Sequence, residues 1–548
     1  MTTFERSTSL RRLAAETFDV LVIGGGITGG GVALDAASRG LRTALVERHD
    51  FSSGTSSKSS KLVHGGLRYL QNGDIRLVYE ALHERQRLRK NAPHLVKLLP
   101  FLIPILGKGG VINPKIARAL GSAMWLYDLT GGARIGKIHK RLNKAEVLEY
   151  MPTLPADALA GGYLYYDAQA DDSRLTLTIV RTAVLRYNAV AVNGVSVTGI
   201  TKDSDGRASG ATVTADGESF AVRATRVINA SGVWSDDVRA LDEGRHPNSI
   251  RPAKGIHITV PWTKVRNTIA VVVPVPKDKR SVFVVPWGEL TYIGTTDTDY
   301  DGPIDDPQCT AEDIEYLLRA INASVPDGHI ETSDIVGTWA GLRPLVKAAA
   351  SGRTADLSRR HSVQRSSSGV VSVIGGKLTT YREMAEDAVD AVIDGIGPGA
   401  PRGWKRCRTK KLALLGADGY DAVVASAGGN ALLRHLADRY GDEAKAVAAL
   451  IDAEASLGEP LVAGLPYVRA EAVHAARDEM ARSVDDVLSR RTRARLLARD
   501  ASAAAAESVA ALIAPELGWT PAQAAASAAQ YRTIIEHERA AATSGEPE

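Results

Sequence analysis

The sequence predicts an α/β fold built around a Rossmann-type nucleotide-binding unit, followed by an α-helical domain. Three observations predict it. An apolar run, Phe18-Asp19-Val20-Leu21-Val22-Ile23, ends in the turn Gly24-Gly25-Gly26-Ile27-Thr28-Gly29 and leads into a helix of small residues. Strand-like apolar runs then alternate with segments of helical period. Beyond Pro398 and Pro401 the chain becomes Ala-rich and helical, which sets an expected boundary between residues 1–400 and 401–548. At 548 residues, more than one core is expected.

The first element carries the clearest mechanism. Phe18 to Ile23 is short and apolar enough for one buried parallel strand. Gly24 permits the tight turn, Gly26 lets a pyrophosphate approach the backbone, and Gly29 lets the helix pack on the strand. Phosphate then meets the unpaired N–H groups at the helix start, where Ile27 and Thr28 lie. A second strand, Arg42 to Val46, ends in Glu47, which suits both hydroxyls of an adenosine ribose and repels a 2′-phosphate. NADP is therefore disfavoured, while FAD and NAD remain open on this unit alone.

Further strands are expected at Ala189–Val192, Val227–Asn229, His257–Val260, Ala270–Val275, Ser281–Val285, Tyr292–Gly294 and Val370–Ile374. Helices are expected from Gly29 to Arg39, Ile75 to Arg89, Ala311 to Asn322 and Thr379 to Ile396. In the tail they fall at Asn430–Tyr440, Asp442–Ile451, Arg469–Glu479, Val484–Leu488, Ala501–Ile513 and Pro521–Ala541. No repeat of fixed period occurs.

Composition excludes several classes. Two cysteines, Cys309 and Cys407, supply neither a disulfide framework nor a zinc cage, and favour a reducing, intracellular compartment. A formal charge of +4 with no basic stripe argues against nucleic acid. Residues 1–17 lack the apolar core of a signal peptide, and no run approaches the ~20 apolar residues of a membrane span. The stretch Leu98 to Leu106, broken by Pro100 and Pro104, reads first as a buried strand. Its alternative is a surface dipping into one leaflet, flanked by Arg85–Lys90 and Arg134–Arg141. There is no His-Glu-x-x-His, Gly-x-Ser-x-Gly or Walker motif.

The segment after Glu47 is more specific. Thr55-Ser56-Ser57-Lys58-Ser59-Ser60-Lys61-Leu62-Val63-His64-Gly65-Gly66-Leu67-Arg68-Tyr69-Leu70 closely resembles the signature segment of FAD-dependent glycerol-3-phosphate dehydrogenases. Lys254-Gly255-Ile256-His257, Val285-Pro286-Trp287, Gly294-Thr295-Thr296-Asp297, Gly341-Leu342-Arg343-Pro344-Leu345 and Gly375-Gly376-Lys377-Leu378-Thr379-Thr380-Tyr381-Arg382 resemble the same family in order. Asp485 to Arg493 is similar to its C-terminal helical domain. The resemblance spans nearly the whole chain. It implies an FAD domain of the D-amino-acid-oxidase and glutathione-reductase type, assembled from separated stretches, with a β-rich substrate domain inserted. Asn229-Ala230-Ser231-Gly232-Val233-Trp234 departs from the common Asn-Ala-Thr-Gly-Pro-Trp but keeps the hydroxyl.

The resemblance implies oxidation of sn-glycerol 3-phosphate, with electrons passed to a membrane quinone. A phosphate dianion calls for convergent cations, and the resemblance brings Arg68, Tyr69, Arg343, Arg359 or Arg360, and Lys377 to the substrate. His257, whose alternation sets it opposite Ile256 and Ile258, is the expected proton acceptor; His64 is its rival. Lys377, opening a helix after Gly375-Gly376, is expected to serve both flavin and phosphate. The cofactor is expected on Gly24, Gly26, Ile27, Thr28, Gly29, Glu47, Thr55, Ser56, Ser57, Ser59, Lys61, Leu62, His64, Gly65, Gly66, Ala230, Ser231, Gly232, Gly376, Lys377, Leu378 and Thr379. A glycerol-3-phosphate oxidase is the nearest alternative, although no obvious added segment is seen. A flavin-binding protein without activity is disfavoured by Arg343, Lys377 and His257. Peripheral contact with lipid on the inner face of the cell membrane, and a homodimer, follow by analogy alone.

Overall fold

The computed structural model describes residues 3–66, 74–107, 124–125, 127, 136–278, 280–347 and 360–544. Two sheets and a helical tail organise them. The first sheet runs in the order His361–Arg365, Val371–Gly375, Glu218–Asn229, Thr17–Ile23, Thr43–Glu47, Val190–Asn193. Its centre is parallel: Thr17–Ile23 pairs with both Glu218–Asn229 and Thr43–Glu47. Val20, Leu21 and Val22 are fully buried, as a central parallel strand covered on both faces requires. On one face lies the helix Ile27–Ser38, whose small residues let Asp172–Tyr187 and Tyr381–Asp394 pack close. Strands Val195–Lys202 and Ala208–Ala215 extend the sheet from the long strand Glu218–Asn229.

The second sheet has ten strands among the described residues and is almost wholly antiparallel. Its centre follows the order Ile250–Pro261, Leu290–Gly294, Ser281–Trp287, Ala270–Pro274, Lys97–Leu106, Leu159–Gln169. Gly337–Val346 pairs with Ile250–Pro261 along its whole length, setting His257 opposite Trp339 and Ala253 opposite Arg343. Leu98 to Leu106 is thus a strand, with Phe101, Leu102, Ile103, Ile105 and Leu106 buried. The buried-strand reading holds, and the leaflet-dipping alternative for this stretch falls, because its apolar side chains from Phe101 to Leu106 are packed inside the protein.

Expected strand cores are all present, generally longer than the sequence suggests. The expected Val227–Asn229 is the end of Glu218–Asn229, and His257–Val260 lies within Ile250–Pro261. Hydrogen-bonded partners extend strands into polar residues that periodicity excludes. Periodicity does not predict the helix Asp172–Tyr187, because it is buried almost all round and shows little amphipathic pattern. The expected helix at Val484–Leu488 is instead a π-helical turn, Asp486–Arg491. The expected Ala501–Ile513 divides into Arg499–Ala504 and Ala506–Leu517.

The tail ends in the helix Pro521–Thr543, capped by Thr520 and Gln523 reciprocally, with Pro521 at its first turn. Its Glu538 is buried and accepts from the Thr338 N–H at 3.2 Å and from Arg495 Nε at 2.9 Å. The tail is therefore pinned to the second sheet. No helix among the described residues is long and apolar enough to cross a membrane.

Candidate functional site

A cavity of about 400 Å3 runs along the carboxyl ends of the first sheet and opens toward the second. The glycine turn forms its middle. Gly24 has φ +110°, in the region that favours glycine, and a Cβ on Gly29 would strike the Gly24 carbonyl. Gly24, Gly26, Ile27 and Thr28 line the cavity; Gly29 supports the turn from behind. Ser56 reaches in from the Ser-rich loop, its Oγ accepting the Ile27 N–H at 2.8 Å.

At one end, Glu47 accepts N–H groups from Gly25 at 2.7 Å and His49 at 2.9 Å. Burial nevertheless raises its carboxyl above the ordinary range. The walls here are apolar: Val195, Val197, Val233, Val238 and Leu241, with Trp234 at the edge. Sequence reasoning missed this slot, although the Val195-x-Val197 alternation after Gly194 carried a signal for it. Arg48 stacks over the Trp234 ring at 5.3 Å, and both side chains bond Asp305, Arg48 at 2.6 Å and Trp234 at 2.7 Å. A flat heterocycle with a ribose on Glu47 fits this end.

Ala230, Ser231 and Gly232 form the opposite wall. Ser231 donates its hydroxyl to Asn229 Oδ1 at 2.6 Å, so the hydroxyl kept at this position is engaged.

At the other end Gly375, Gly376, Lys377, Leu378 and Thr379 turn from strand into helix, facing Leu62, His64, Ser60 and Arg343. The His64 N–H donates to Thr379 Oγ1 at 3.2 Å, which ties the two halves of the wall together. Arg343 bonds Asp297 at 3.3 Å, Thr295 at 3.1 Å and the Thr296 carbonyl at 3.2 Å. An arginine and a lysine thus face one end of a deep, partly apolar cavity, which suits a phosphorylated or carboxylated ligand.

Several expected residues stand elsewhere. Gly29, Ser57, Lys61, Gly65 and Gly66 do not line the cavity. Lys61 is fully buried, 3.4 Å from Asp172 and 4.3 Å above the Trp339 ring, and burial, partly offset by Asp172, brings its ammonium down to about 8. The Gly65 N–H is taken by Tyr127 and Asp167, each at 3.2 Å. Nor do all the loop hydroxyls face inward: Thr55 donates to the Leu342 carbonyl, Ser57 to Gly54 and Ser59 to Asp172. The loop is anchored through those groups, which are therefore engaged with protein oxygens; Thr55, Ser56, Ser59 and Ser60 line the cavity and Ser57 does not.

His257 is buried, stacked on Trp339 with ring centroids 4.7 Å apart and planes within 8°. It does not itself line the cavity; Ser60, whose Oγ is 2.9 Å from Nε2, stands between. Burial first, then Lys61 and Arg343, hold its imidazole well below the ordinary value and hence neutral. Arg360, half exposed, pairs with Asp74 at 2.8 Å and is not at the cavity wall. Arg68, Tyr69 and Arg359 lie outside the described residues.

The chemistry of this donor set fits a flavin dinucleotide along its whole length: acid for ribose, helix start for pyrophosphate, glycine turn and lysine at the far end. Comparison with known proteins agrees. The sequence model of the FAD dependent oxidoreductase family matches residues 19–382, and that of the C-terminal domain of alpha-glycerophosphate oxidase matches residues 407–524. A glycerol-3-phosphate dehydrogenase 2 of Mycobacterium bovis is 42% identical, with 97% of this chain and 91% of that protein covered. The mitochondrial glycerol-3-phosphate dehydrogenase of Mus musculus is 38% identical over 92% of this chain and 71% of its own. Among solved structures, the glycerol-3-phosphate dehydrogenase of Bacillus halodurans complexed with FAD superposes with a TM-score of 0.77 at 31% identity, covering 99% of this chain and 98% of that one.

Proposed function

Because the chain belongs to the family of FAD-dependent glycerol-3-phosphate dehydrogenases, we propose that it oxidises sn-glycerol 3-phosphate to dihydroxyacetone phosphate, passes the electrons to a quinone, and so serves glycerol catabolism. The observation that carries the reading is the meeting of Arg343 and Lys377 at one end of the FAD cavity, within reach of Ser60 and His257.

In this reading Arg343, oriented by Asp297 and Thr295, forks onto the phosphate, and Lys377 supports both phosphate and flavin edge. By the resemblance Arg68 and one of Arg359 or Arg360 complete the cation cluster, and Tyr69 adds a neutral contact to the substrate. His257 takes the proton of the alcohol. Bound FAD supplies a two-electron acceptor for the hydride on C2. The residues lining the cavity from Gly24 to Thr379 hold the cofactor, and residues 1–400 and 401–548 form the two structural units.

The exposed apolar side chains Ile75, Tyr79, Trp125 and Ile138, with Arg76, Lys137, Lys140 and Arg141 close in sequence, support peripheral docking on an anionic lipid surface at the inner face of the cell membrane. A homodimer is the assembly that analogy offers.

The test uses purified holoenzyme. Glycerol 3-phosphate should bleach the flavin anaerobically, and a quinone analogue should restore its colour faster than air does. Failure to bleach removes the substrate, and rapid recovery in air alone makes the protein an oxidase. Co-sedimentation with liposomes in low and high salt tests the lipid contact, which absence of binding in both would overturn.

A further inference from the structure

We propose that Ser60 is a catalytic residue of this site, the hydroxyl through which the substrate's proton travels to His257. The inference rests on the substrate reading above and deepens it.

The geometry leaves the serine little else to do. Its backbone is fixed on both sides: Tyr292 donates to the Ser60 carbonyl at 3.0 Å, and the Trp339 indole N–H donates to the neighbouring Ser59 carbonyl at 3.1 Å. Lys61, next in sequence, is held by buried Asp172. Ser60 lines the cavity, and its Oγ lies 2.9 Å from His257 Nε2. His257 itself is sealed off, 2% exposed and covered by Trp339. A proton leaving the cavity for the imidazole therefore passes through Oγ.

The groups acting on the imidazole are Lys61 from the loop and Arg343 from the strand Gly337–Val346, with neutral Trp339 and Tyr292 beside it. Both cations oppose a second positive charge, so His257 rests neutral with a lone pair available. A phosphate dianion arriving at Arg343 reduces that repulsion, so basicity at Nε2 rises when substrate is bound. In the tautomer the relay uses, Nδ1 carries the resting proton and Nε2 accepts the Ser60 hydroxyl; Nδ1 is buried without a hydrogen-bond partner among the described residues.

Atoms and electrons balance in this step. The substrate O–H proton passes to Ser60 Oγ while the Ser60 proton passes to Nε2, leaving serine unchanged and His257 protonated. The C2–H bond breaks as C2=O forms, and its electron pair and hydrogen are balanced by reduction of the bound FAD. After product leaves, the imidazolium returns its proton through Ser60 Oγ to the cavity and so to solvent before the next cycle.

Stopped-flow reduction of the bound flavin by glycerol 3-phosphate tests this with Ser60→Ala, Ser60→Thr, His257→Gln and the Ser60→Ala/His257→Gln pair. Each variant is first checked for full FAD content. Ser60→Ala should slow reduction about a hundredfold or more, with substrate affinity within about threefold, the size of a tolerable packing change. Ser60→Thr, which keeps the hydroxyl, should recover most of the rate. The pair should be no slower than the worse single variant, since both residues serve one transfer. A Ser60→Ala rate near wild type, a Ser60→Thr as slow as Ser60→Ala, or costs that multiply in the pair would each overturn the relay. Wild-type flavin that glycerol 3-phosphate fails to bleach overturns the substrate reading and the relay with it; a bleached wild type with unimpaired Ser60→Ala overturns the relay alone.

Discussion

Arg491 forks onto Asp50 at the junction of the helical tail with the nucleotide sheet, Nη1 2.7 Å from Oδ2 and Nη2 2.8 Å from Oδ1, both side chains buried. Arg490 adds a bond at 2.6 Å, and Asn193 donates to the same carboxylate at 3.0 Å. Asp50 lies just beyond Glu47 and opens the loop that carries Ser56 and Ser60. Nearby, Arg493 bonds the Ser57 carbonyl. The tail thus clamps the loop that shapes the cavity.

Asp50→Asn should therefore cost stability and cofactor together. Removing one partner from a buried ion cluster leaves uncompensated charge, at about 3–5 kcal/mol. A lower urea midpoint and loss of flavin absorbance on desalting are the expected readings. Full FAD retention would show that the clamp does not govern the loop.

Acid should loosen the same junction. Burial raises the Asp50 carboxyl, but Arg491 and Arg490 outweigh it and hold it below its ordinary range. Burial is likewise outweighed at Glu479, mainly by Arg174, and at Glu471, mainly by Arg439, and both fall to about 2. Because these folded values are depressed, their stabilisation is full above the unfolded carboxylate range near ~4 and is lost as pH falls toward 2. Urea midpoints should stay level from neutrality to about pH 5 and then decline. A midpoint unchanged at pH 3 would contradict the assignment.

Gly29→Ala should yield apoprotein. The added Cβ meets the Gly24 carbonyl, a backbone atom of the turn, so relief requires moving the turn itself. Flavin content on purification is the measurement, and a fully loaded variant would exclude this role of the turn.

Arg343→Lys and Arg343→Ala should both reduce kcat/KM for glycerol 3-phosphate, alanine by about 10²–10³ and lysine by less, since an ammonium lacks the fork but keeps the charge. Asp297 then loses a guanidinium partner in both. Equal losses in the two variants would mean that the retained charge contributes nothing, and wild-type kinetics for the lysine variant would mean that charge alone matters.

Lys377→Met should lower flavin reduction by about 10²–10³, the usual cost of losing a charge-stabilising donor. Anaerobic stopped-flow absorbance reads it directly, and unchanged reduction would remove Lys377 from the chemistry.

Local pattern alone makes the dinucleotide end legible. Gly24, Gly26 and Glu47 act through backbone geometry and one carboxylate, and their spacing is fixed within a single strand–turn–helix. Gly376 and Lys377 are legible through the family resemblance of the segment Gly375 to Arg382. The apolar slot of Val195, Val233 and Leu241 is not, because its members come from separated segments whose individual patterns look like ordinary core.

The sequence by itself determined the nucleotide-binding unit, the family resemblance and the identity of the candidate cations. Tertiary structure alone decided which partners the hydroxyls of the Ser-rich loop take, that Lys61 turns into the core, and that Ser60, at the cavity, lies against His257. The physical reason is range. Turn chemistry and alternation act over a few neighbouring residues and are written in order along the chain. The direction of a loop side chain is chosen by partners far away in sequence, here Leu342 for Thr55, Asp172 for Ser59 and Lys61, and His257 for Ser60.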